Sequence, residues 1–354
     1  MIQTLEMQPP QMAGIAAIDL YFNPVSSYAN RVAARHELRR LTRLFQLSDA
    51  DAQLIDERPT PELIAERHRG RRAPNLLSVS EAGDGGALEF VNACHDFIQL
   101  QLDSDTDDTE PLAIPLMGFS GSGNGLNLHS SLHGKLHARS LSGLLESGEA
   151  AVGLLHAMEY TFADGHVRRS QSIFGMGVTA HIAKHLEAQR EQLRGLWRPL
   201  RLGVESVSAA ASCADYDTEF DIESPELGAL LQSGTKAGVD WINVPTIVKA
   251  GRVPVRALGH DMFAMQSTLP ETRHGRVVSA VIGGVRLAMG VPNGAVFDIA
   301  PGEKVTLRVT KANKPVKTTL DGEEGPDLHE GDEVQAGRSV IGLPVICGQY
   351  ALAG

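Results

Sequence analysis

The sequence predicts an α/β protein whose first half is a parallel, doubly wound sheet and whose second half is β-rich. Three observations carry this expectation. Up to about residue 145, short apolar runs alternate with stretches of helical spacing. Those runs end in turns rich in Gly, Asn and Ser, where doubly wound sheets place their ligands. Beyond that point, segments such as VTLRV and VKTTL alternate with period two, which suits a half-exposed antiparallel sheet.

A chain of 354 residues is long enough for two domains. The expected division is a leader over 1–12, a first domain over 13–145 and a second over 146–335. A C-terminal segment, 336–354, is free to return to the first domain. The net charge of −11 argues against general nucleic-acid binding, which needs an electropositive face. Apolar runs are too short to span a bilayer, and MIQTLEMQPPQ lacks the basic start and apolar core of a signal peptide. Cys94, Cys213 and Cys347 are odd in number and far apart, so a reducing cytoplasm is the simplest setting.

In chain order, Ile15 to Phe22 reads as a buried strand ending in Asn23-Pro24-Val25-Ser26-Ser27. Residues 30–45 have helical spacing, with Ala34, Leu38, Leu41 and Phe45 on one face and arginines mostly away from it. A short apolar piece and a helix follow within 51–72. The stretch LLSVSEAGDGGALEFVN, 76–92, reads as a strand (76–79), a turn at Gly83-Asp84-Gly85-Gly86 and a helix from Ala87. Strand, glycine turn and helix together present free backbone N–H groups to an anion. After an acidic loop, 103–110, Leu112 to Leu116 is expected as a third strand. It runs into a second glycine turn, 118–125, and a helix over LNLHSSLHG. The second half is expected to hold a helix around 140–160 and one clear helix over 180–198. Its strands are expected at 168–174, 202–207, 253–258, 276–282, 305–310, 316–320 and 339–345.

Several residues could carry chemistry. Asp84 among its glycines could orient a nucleotide or hold Mg²⁺ through water, or could bond its own turn. Asp321, Glu323 and Glu324 flank Gly322, where a carboxylate could act as a general base; Asp-Gly is equally a favoured hairpin turn. Ser26, Ser27, Ser120 and Ser122 could touch phosphate or cap the next helix. His129, His133 and His137 recur every four residues, but Gly134 should end their helix before His137 joins the same face. Arg190, Arg194, Arg198 and Arg201 alternate with apolar residues and read as a helix packed on the sheet rather than a membrane-facing one. Neither a nucleophile elbow nor a Walker pattern is present.

In their order and spacing, these turns resemble the diacylglycerol kinase catalytic-domain family, over about residues 15–335. Asn23, Pro24 and Ser26 match a first motif, with Ser27 where glycine is usual. Gly83, Asp84, Gly85, Glu89 and Asn92 match a Gly-Gly-Asp-Gly-Thr motif and its extension, with Ala82, Gly86 and Leu88 replacing Gly, Thr and Asn. Gly121, Ser122, Gly123 and Asn124 resemble a Gly-Thr-Gly-Asn turn. Asp321, Gly322 and Glu323 match fully. Gly175 to Ala180 resembles a Gly-Phe-Asp-Ala segment, with Thr179 for Asp. Leu269 to Ile282 resembles a strand in which His274 replaces an aspartate linked to a structural Mg²⁺ site.

The resemblance implies an NAD-kinase-like three-layer α/β domain followed by a β-sandwich, with ATP and Mg²⁺ in the cleft between them. Asn23, Pro24, Ser26, Ser27, Gly83, Asp84, Gly85, Gly86, Glu89, Gly121, Ser122, Gly123 and Asn124 would hold the nucleotide. Asp321 or Glu323 would take the proton of a lipid hydroxyl, with Asp84 a rival for that role. The implied activity is γ-phosphate transfer to a diacylglycerol-like or sphingoid lipid. A catalytically silent nucleotide- or lipid-binding relative and an NAD kinase are the alternatives. Expected partners are the lipid substrate and, transiently, a membrane surface, with a homodimer as the alternative to a monomer.

Overall fold

The computed structural model describes residues 12, 14–25, 29–71, 75–103, 114–122, 126–189, 198–213, 218–224, 228–229, 238–247, 251–256 and 258–352. The expected leader (Met12 apart), nearly all of the acidic loop and Arg190 and Arg194 lie outside these residues. The chain forms two compact units, 1–157 with 340–354, and 158–339. It passes from one to the other inside two long strands, β5 (Ala150–Thr161) and β18 (Glu333–Gly348), whose intervening elements are introduced below.

The first unit begins with β1 (Ala17–Phe22), α1 (Arg31–Leu44), β2 (Ala52–Ile55), α2 (Pro61–Arg71) and β3 (Leu76–Ala82). It continues with α3 (Asp84–Asp103), β4 (Leu116–Gly121), α4 (Asn127–His137) and α5 (Leu141–Glu146). The strands lie in the order β2-β1-β3-β4, all parallel. The later part of β18 adds to β4, with Val345 opposite Met117. A parallel sheet covered on both faces buries its strands, and every residue of β1, β3 and β4 is buried, the polar Asp19, Ser78, Ser80, Glu81 and Ser120 included. Helix α1 starts where the Asn30 side chain accepts hydrogen bonds from Val32 N (3.0 Å) and Ala33 N (3.2 Å). Its Ala34, Leu38 and Leu41 pack on Ile18, Leu20 and Val79.

Two local expectations change. Helix α3 begins at Asp84, so only Gly83 separates it from β3, and Gly85 and Gly86 lie in its first turn. Gly118 to Gly121, expected as a turn, belong to β4. These glycines serve close packing. A Cβ at Gly118 would lie 2.4 Å from Leu141 Cδ2, and one at Gly121 would lie 2.4 Å from the Ala138 carbonyl.

The second unit contains β6 (Val167–Ser170), β7 (Ile173–Met176), α6 (Val178–Ala188), α7 (Arg198–Ser212), β8 (Glu219–Ser224), β9 (Gly228–Ala229) and β10 (Gly238–Ile242). There follow β11 (Thr246–Ile247), β12 (Gly251–Arg252), β13 (Asp261–Ser267), α8 (Arg273–Ala288) and β14 (Gly294–Asp298). Last come β15 (Lys304–Lys311), β16 (Thr318–Leu320) and β17 (Glu323–Glu324). One antiparallel layer runs β14-β13-β10-β7-β16-β17. Facing it are β8, β15 and the early part of β18. Alternate residues of both layers form one core, in which Tyr160 stacks on Phe174 at 4.6 Å and on Trp241 at 6.0 Å.

Two helices, α7 and α8, interrupt the expected run of strands. Residues 202–207 lie in α7 and 276–282 in α8, and none of the described residues of 253–258 is in a strand. In α7, Leu202, Val207 and Ala210 recur near helical spacing beside the helix-forming run Ala209-Ala210-Ala211. In α8, the Thr272 hydroxyl caps Gly275 N at 3.2 Å, and that start signal overrides the β-preference of Val277 and Val278. The expected helix over 140–160 is α5 followed by β5.

Candidate functional site

At the carboxyl ends of β1 and β3 lies a cavity of about 320 Å³. Phe22, Asn23, Pro24, Arg58, Gly86 and Glu89 are among the residues lining it. The Asn23 amide N–H donates to the Glu81 carbonyl (3.2 Å), tying the two strand ends together. Its side-chain oxygen accepts from Val25 N (3.0 Å), and its Nδ2 lies where a side chain at 86 would go, 2.6 Å from an ideal Cβ. Gly86 is thus required by close approach, and the open first turn of α3 stays on the cavity wall.

The Asp84 carboxylate points to another helix. It accepts from Asn127 N (2.9 Å) and Leu128 N (3.2 Å) and so caps α4, whose preceding residue Leu126 has φ 54°. The His129 imidazole nitrogen stands 3.7 Å from the same carboxylate. Gly121, last in β4, pairs with Ala82, and Ser122 N donates to the Ala82 carbonyl at 3.0 Å. The Ser122 hydroxyl is buried and has no hydrogen-bond partner among the described residues. Ser26, Ser27, Gly123 and Asn124 lie outside the described residues.

Arg58 was not legible as a site residue. It follows β2, and only the fold brings it to the cavity, where Nη2 donates to Glu89 Oε1 at 2.8 Å. It supplies a cation within reach of a cavity whose glycine turns carry none of their own. Below the same strand ends, Glu81 and Glu37 are both buried, and burial together with Glu37 pushes the Glu81 carboxyl up to about 8. Glu37 accepts from Ser142 N and from the Ser142 hydroxyl, both at 2.7 Å.

In the second unit, Asp321 and Gly322 form a two-residue hairpin turn between β16 and β17, both with positive φ (51° and 98°). The Asp321 carboxylate accepts three backbone N–H bonds, from Gln171 (2.6 Å), Ser172 (2.8 Å) and Ile173 (2.7 Å). It holds the β6–β7 connection in place, and that connection buries Gln171, Ser172 and the neighbouring Asn243. The Gln171 amide, the Ser172 hydroxyl and Asn243 Oδ1 have no hydrogen-bond partner among the described residues, a concentration of unsatisfied polar atoms that suits a bound polar group. Glu323, the first residue of β17, is exposed, and the Glu324 carboxylate pairs with Lys184 at 2.6 Å. Asp321 lies in the turn, Glu323 opens β17 and Asp84 opens α3; the first two share one unit and Asp84 belongs to the other.

Thr179 donates to Asp240 Oδ2 at 2.8 Å, so a carboxylate occupies the place where the threonine stands for an aspartate. Burial pushes Asp240 up to about 7. A lone acid inside the apolar run Val239 to Ile242 is the sequence signal for it. His274 does not lie in a strand; it is exposed in the first turn of α8, so the expected correspondence over Leu269 to Ile282 fails. Among the described residues no group of His, Cys, Asp and Glu is arranged to hold a metal ion. His133 is buried with Nε2 3.2 Å from the Ile346 carbonyl, and α4 breaks at Gly134 (φ 73°) before His137.

A comparison with protein-family models finds no match, and a comparison with curated proteins finds none either. Among solved structures, the chain is similar to a candidate diacylglycerol kinase from Bacillus anthracis str. Sterne. The TM-score is 0.60 at 12% identity, covering 97% of this chain and 98% of that one. A second such structure from the same organism gives 0.58 at 12% identity, over 95% and 99%. A third, described as a diacylglycerol kinase of that organism, gives 0.55 at 11% identity, over 94% and 97%. The chain therefore shares the fold of these structures, an α/β unit plus a β-rich unit.

Proposed function

We propose that this chain is an ATP-dependent phosphotransferase that moves the γ-phosphate to a lipid hydroxyl. The observation that carries the reading is the cavity at the ends of β1 and β3. It combines the first turn of α3, an asparagine folded over a glycine, and one arginine among three carboxylates, Asp56, Glu57 and Glu89. Helix N-termini and arginines are the groups that neutralise and orient phosphates. Asn23, Pro24, Gly83, Gly85, Gly86, Glu89, Gly121 and Ser122 would surround the nucleotide, with Ser26, Ser27, Gly123 and Asn124 adjoining them in sequence.

Phosphoryl transfer asks the protein mainly for positioning, charge neutralisation and a weak base. The acceptor oxygen forms its bond to the γ-phosphorus, the bond to the bridging oxygen breaks, ADP leaves, and the hydroxyl proton goes to a carboxylate. Glu323 is the better base, because its carboxylate is exposed while that of Asp321 already accepts three N–H bonds. Asp321 positions the turn, and Asp84 positions the start of α4. Gln171, Ser172 and Asn243 suit the polar head of the acceptor. A groove of about 320 Å³ lined by Val178, Ile182, Val207, Leu269, Ala280 and Leu287 suits its acyl chain. Of the described residues, the cavity carboxylates Asp56, Glu57 and Glu89 would be the ones to hold Mg²⁺, which would supply charge neutralisation for the triphosphate.

The test is transfer of labelled phosphate from ATP into a total lipid extract, with diacylglycerol, sphingoid bases and NAD assayed separately. A labelled lipid product supports the reading. Nucleotide binding without transfer to any acceptor replaces it with a binding protein, and a labelled NAD product replaces it with a dinucleotide kinase.

A further inference from the structure

The connection between β6 and β7 concentrates buried polar atoms that no described residue satisfies. Gln171, Ser172 and Asn243 are each 2% exposed. Asn243 spends its Nδ2 on the Gln171 carbonyl at 2.9 Å, and its backbone N–H donates to the Ser172 carbonyl at 3.1 Å. Those two bonds fix the three residues against one another. They leave Asn243 Oδ1 with no partner among the described residues, and Gln171 Oε1, Gln171 Nε2 and Ser172 Oγ are left in the same way. Buried groups of this kind are costly unpaired, so a fixed set of them suits a ligand that pairs them.

The inventory names the ligand. Gln171 Oε1 and Asn243 Oδ1 are carbonyl oxygens that only accept, so the ligand brings at least two donors. The Gln171 N–H₂ only donates and the Ser172 hydroxyl does either, so the ligand also accepts. Hydroxyl groups meet both demands at once. No formal charge is called for. The carboxylate that holds this connection, Asp321, already accepts from Gln171 N on Oδ2 and from Ser172 N and Ile173 N on Oδ1. An ammonium buried here would be paired with neutral oxygens, and a phosphate would be set against two carbonyls.

We infer that Gln171, Ser172 and Asn243 read a neutral polyol headgroup, so that the lipid acceptor carries free hydroxyls besides the one phosphorylated. This rests on the phosphotransfer reading. The Asp321 N–H donates to the Ile173 carbonyl at 2.8 Å, which ties the Asp321-Gly322 turn to the connection from both sides, and Glu323 follows that turn. One hydroxyl of the head gives its proton to Glu323 as its oxygen bonds to the γ-phosphorus. The neighbouring hydroxyls pair with Gln171, Ser172 and Asn243. Diacylglycerol meets this demand poorly, because its single hydroxyl is the reacting one and its esters only accept. A sphingoid base brings donors together with a charge.

The experiment compares kcat/KM of the full chain, with ATP, for monoglucosyl dioleoylglycerol, monooleoylglycerol, dioleoylglycerol and sphingosine in one mixed-micelle composition. The glucosyl lipid should exceed dioleoylglycerol and sphingosine by about 100-fold, with monooleoylglycerol between. Gln171→Leu should bring all four within about threefold of one another. It should hold or raise the melting temperature, since it removes unpaired buried atoms. Gln171→Glu, of the same shape, should move the preference toward sphingosine about tenfold. Calorimetry with hexyl glucoside and no ATP reads the site without chemistry, and its binding should be lost in Gln171→Leu. Equal use of dioleoylglycerol and the glucosyl lipid overturns the inference. So does an unchanged ranking in Gln171→Leu with a lowered melting temperature, which assigns these atoms to a structural water. If no lipid is phosphorylated but hexyl glucoside binds the parent and not Gln171→Leu, the phosphotransfer reading falls and the polyol site stands. If neither transfer nor binding is seen, both fall.

Discussion

The methyl group of Ala82 and the missing side chain of Gly86 compete for one space: an ideal Cβ at 86 would lie 2.7 Å from the Ala82 Cβ. Position 82 ends β3 and position 86 is in the first turn of α3, so the two residues face each other across Gly83. Where the resembling family has glycine then threonine, this chain has alanine then glycine, a small-for-large exchange across one contact. Gly86→Thr alone should destabilise the chain by about 1–3 kcal/mol through overpacking. Adding Ala82→Gly should recover about 1 kcal/mol, read from urea unfolding of both single variants and the double. Strict additivity would break the link.

Arg58 should matter to nucleotide and little to stability. Its pair with Glu89 is solvent-exposed, and such pairs contribute little to folding. Arg58→Ala should weaken ATP binding by roughly tenfold in calorimetry while changing stability by less than about 0.5 kcal/mol. Unchanged affinity would remove Arg58 from the site.

Asp321 and Glu323 should separate by readout. Asp321→Asn sets an amide N–H₂ among three backbone donors and should cost about 1–3 kcal/mol of stability. Glu323→Gln should leave the melting temperature in place and lower turnover by roughly 100-fold or more. If Glu323→Gln keeps full turnover, the base is another group.

Glu81 predicts a pH dependence of stability. Its carboxyl is raised to about 8 in the folded chain, so between the ordinary value of 4.5 and that value the folded state holds a proton the unfolded state has released. Stability contributed by this group is therefore present below about pH 4.5 and lost progressively up to about pH 8. Asp240, raised to about 7 by burial, acts in the same direction. Glu81→Gln should flatten the fall in urea midpoint between about pH 5 and pH 8. A variant with the same slope as the parent would remove Glu81 as its source.

Sequence reading works best where a signal is local and single-sided. The run Ala17–Phe22 could be only a buried strand, and the spacing of Ala34, Leu38 and Leu41 announced a helix. The Asp-Gly hairpin was legible because two successive positive-φ positions favour that pair. Reading fails where two signals compete over a short span. Val277-Val278 and Val204-Glu-Ser-Val207 carry β-branched residues inside sequences that helix capping and alanine content decide. The glycines of β4 looked like turn residues because their actual partners, Leu141 and Ala138, come some twenty residues later and carry no local mark.

By itself, then, the sequence determined the alternation of strands and helices, the turns at their ends and the family they resemble, because each depends on neighbours a few residues apart. Only the tertiary structure decided which polar groups are spent and which are free for chemistry. Asp84 and Asp321 looked like reactive carboxylates, but each closes backbone N–H groups far along the chain, Asp84 at Asn127 and Asp321 at Gln171. Arg58 gave no local sign of its place at the cavity. A hydrogen bond or an exposed face is settled by what lies across space, and no spacing rule reaches that far.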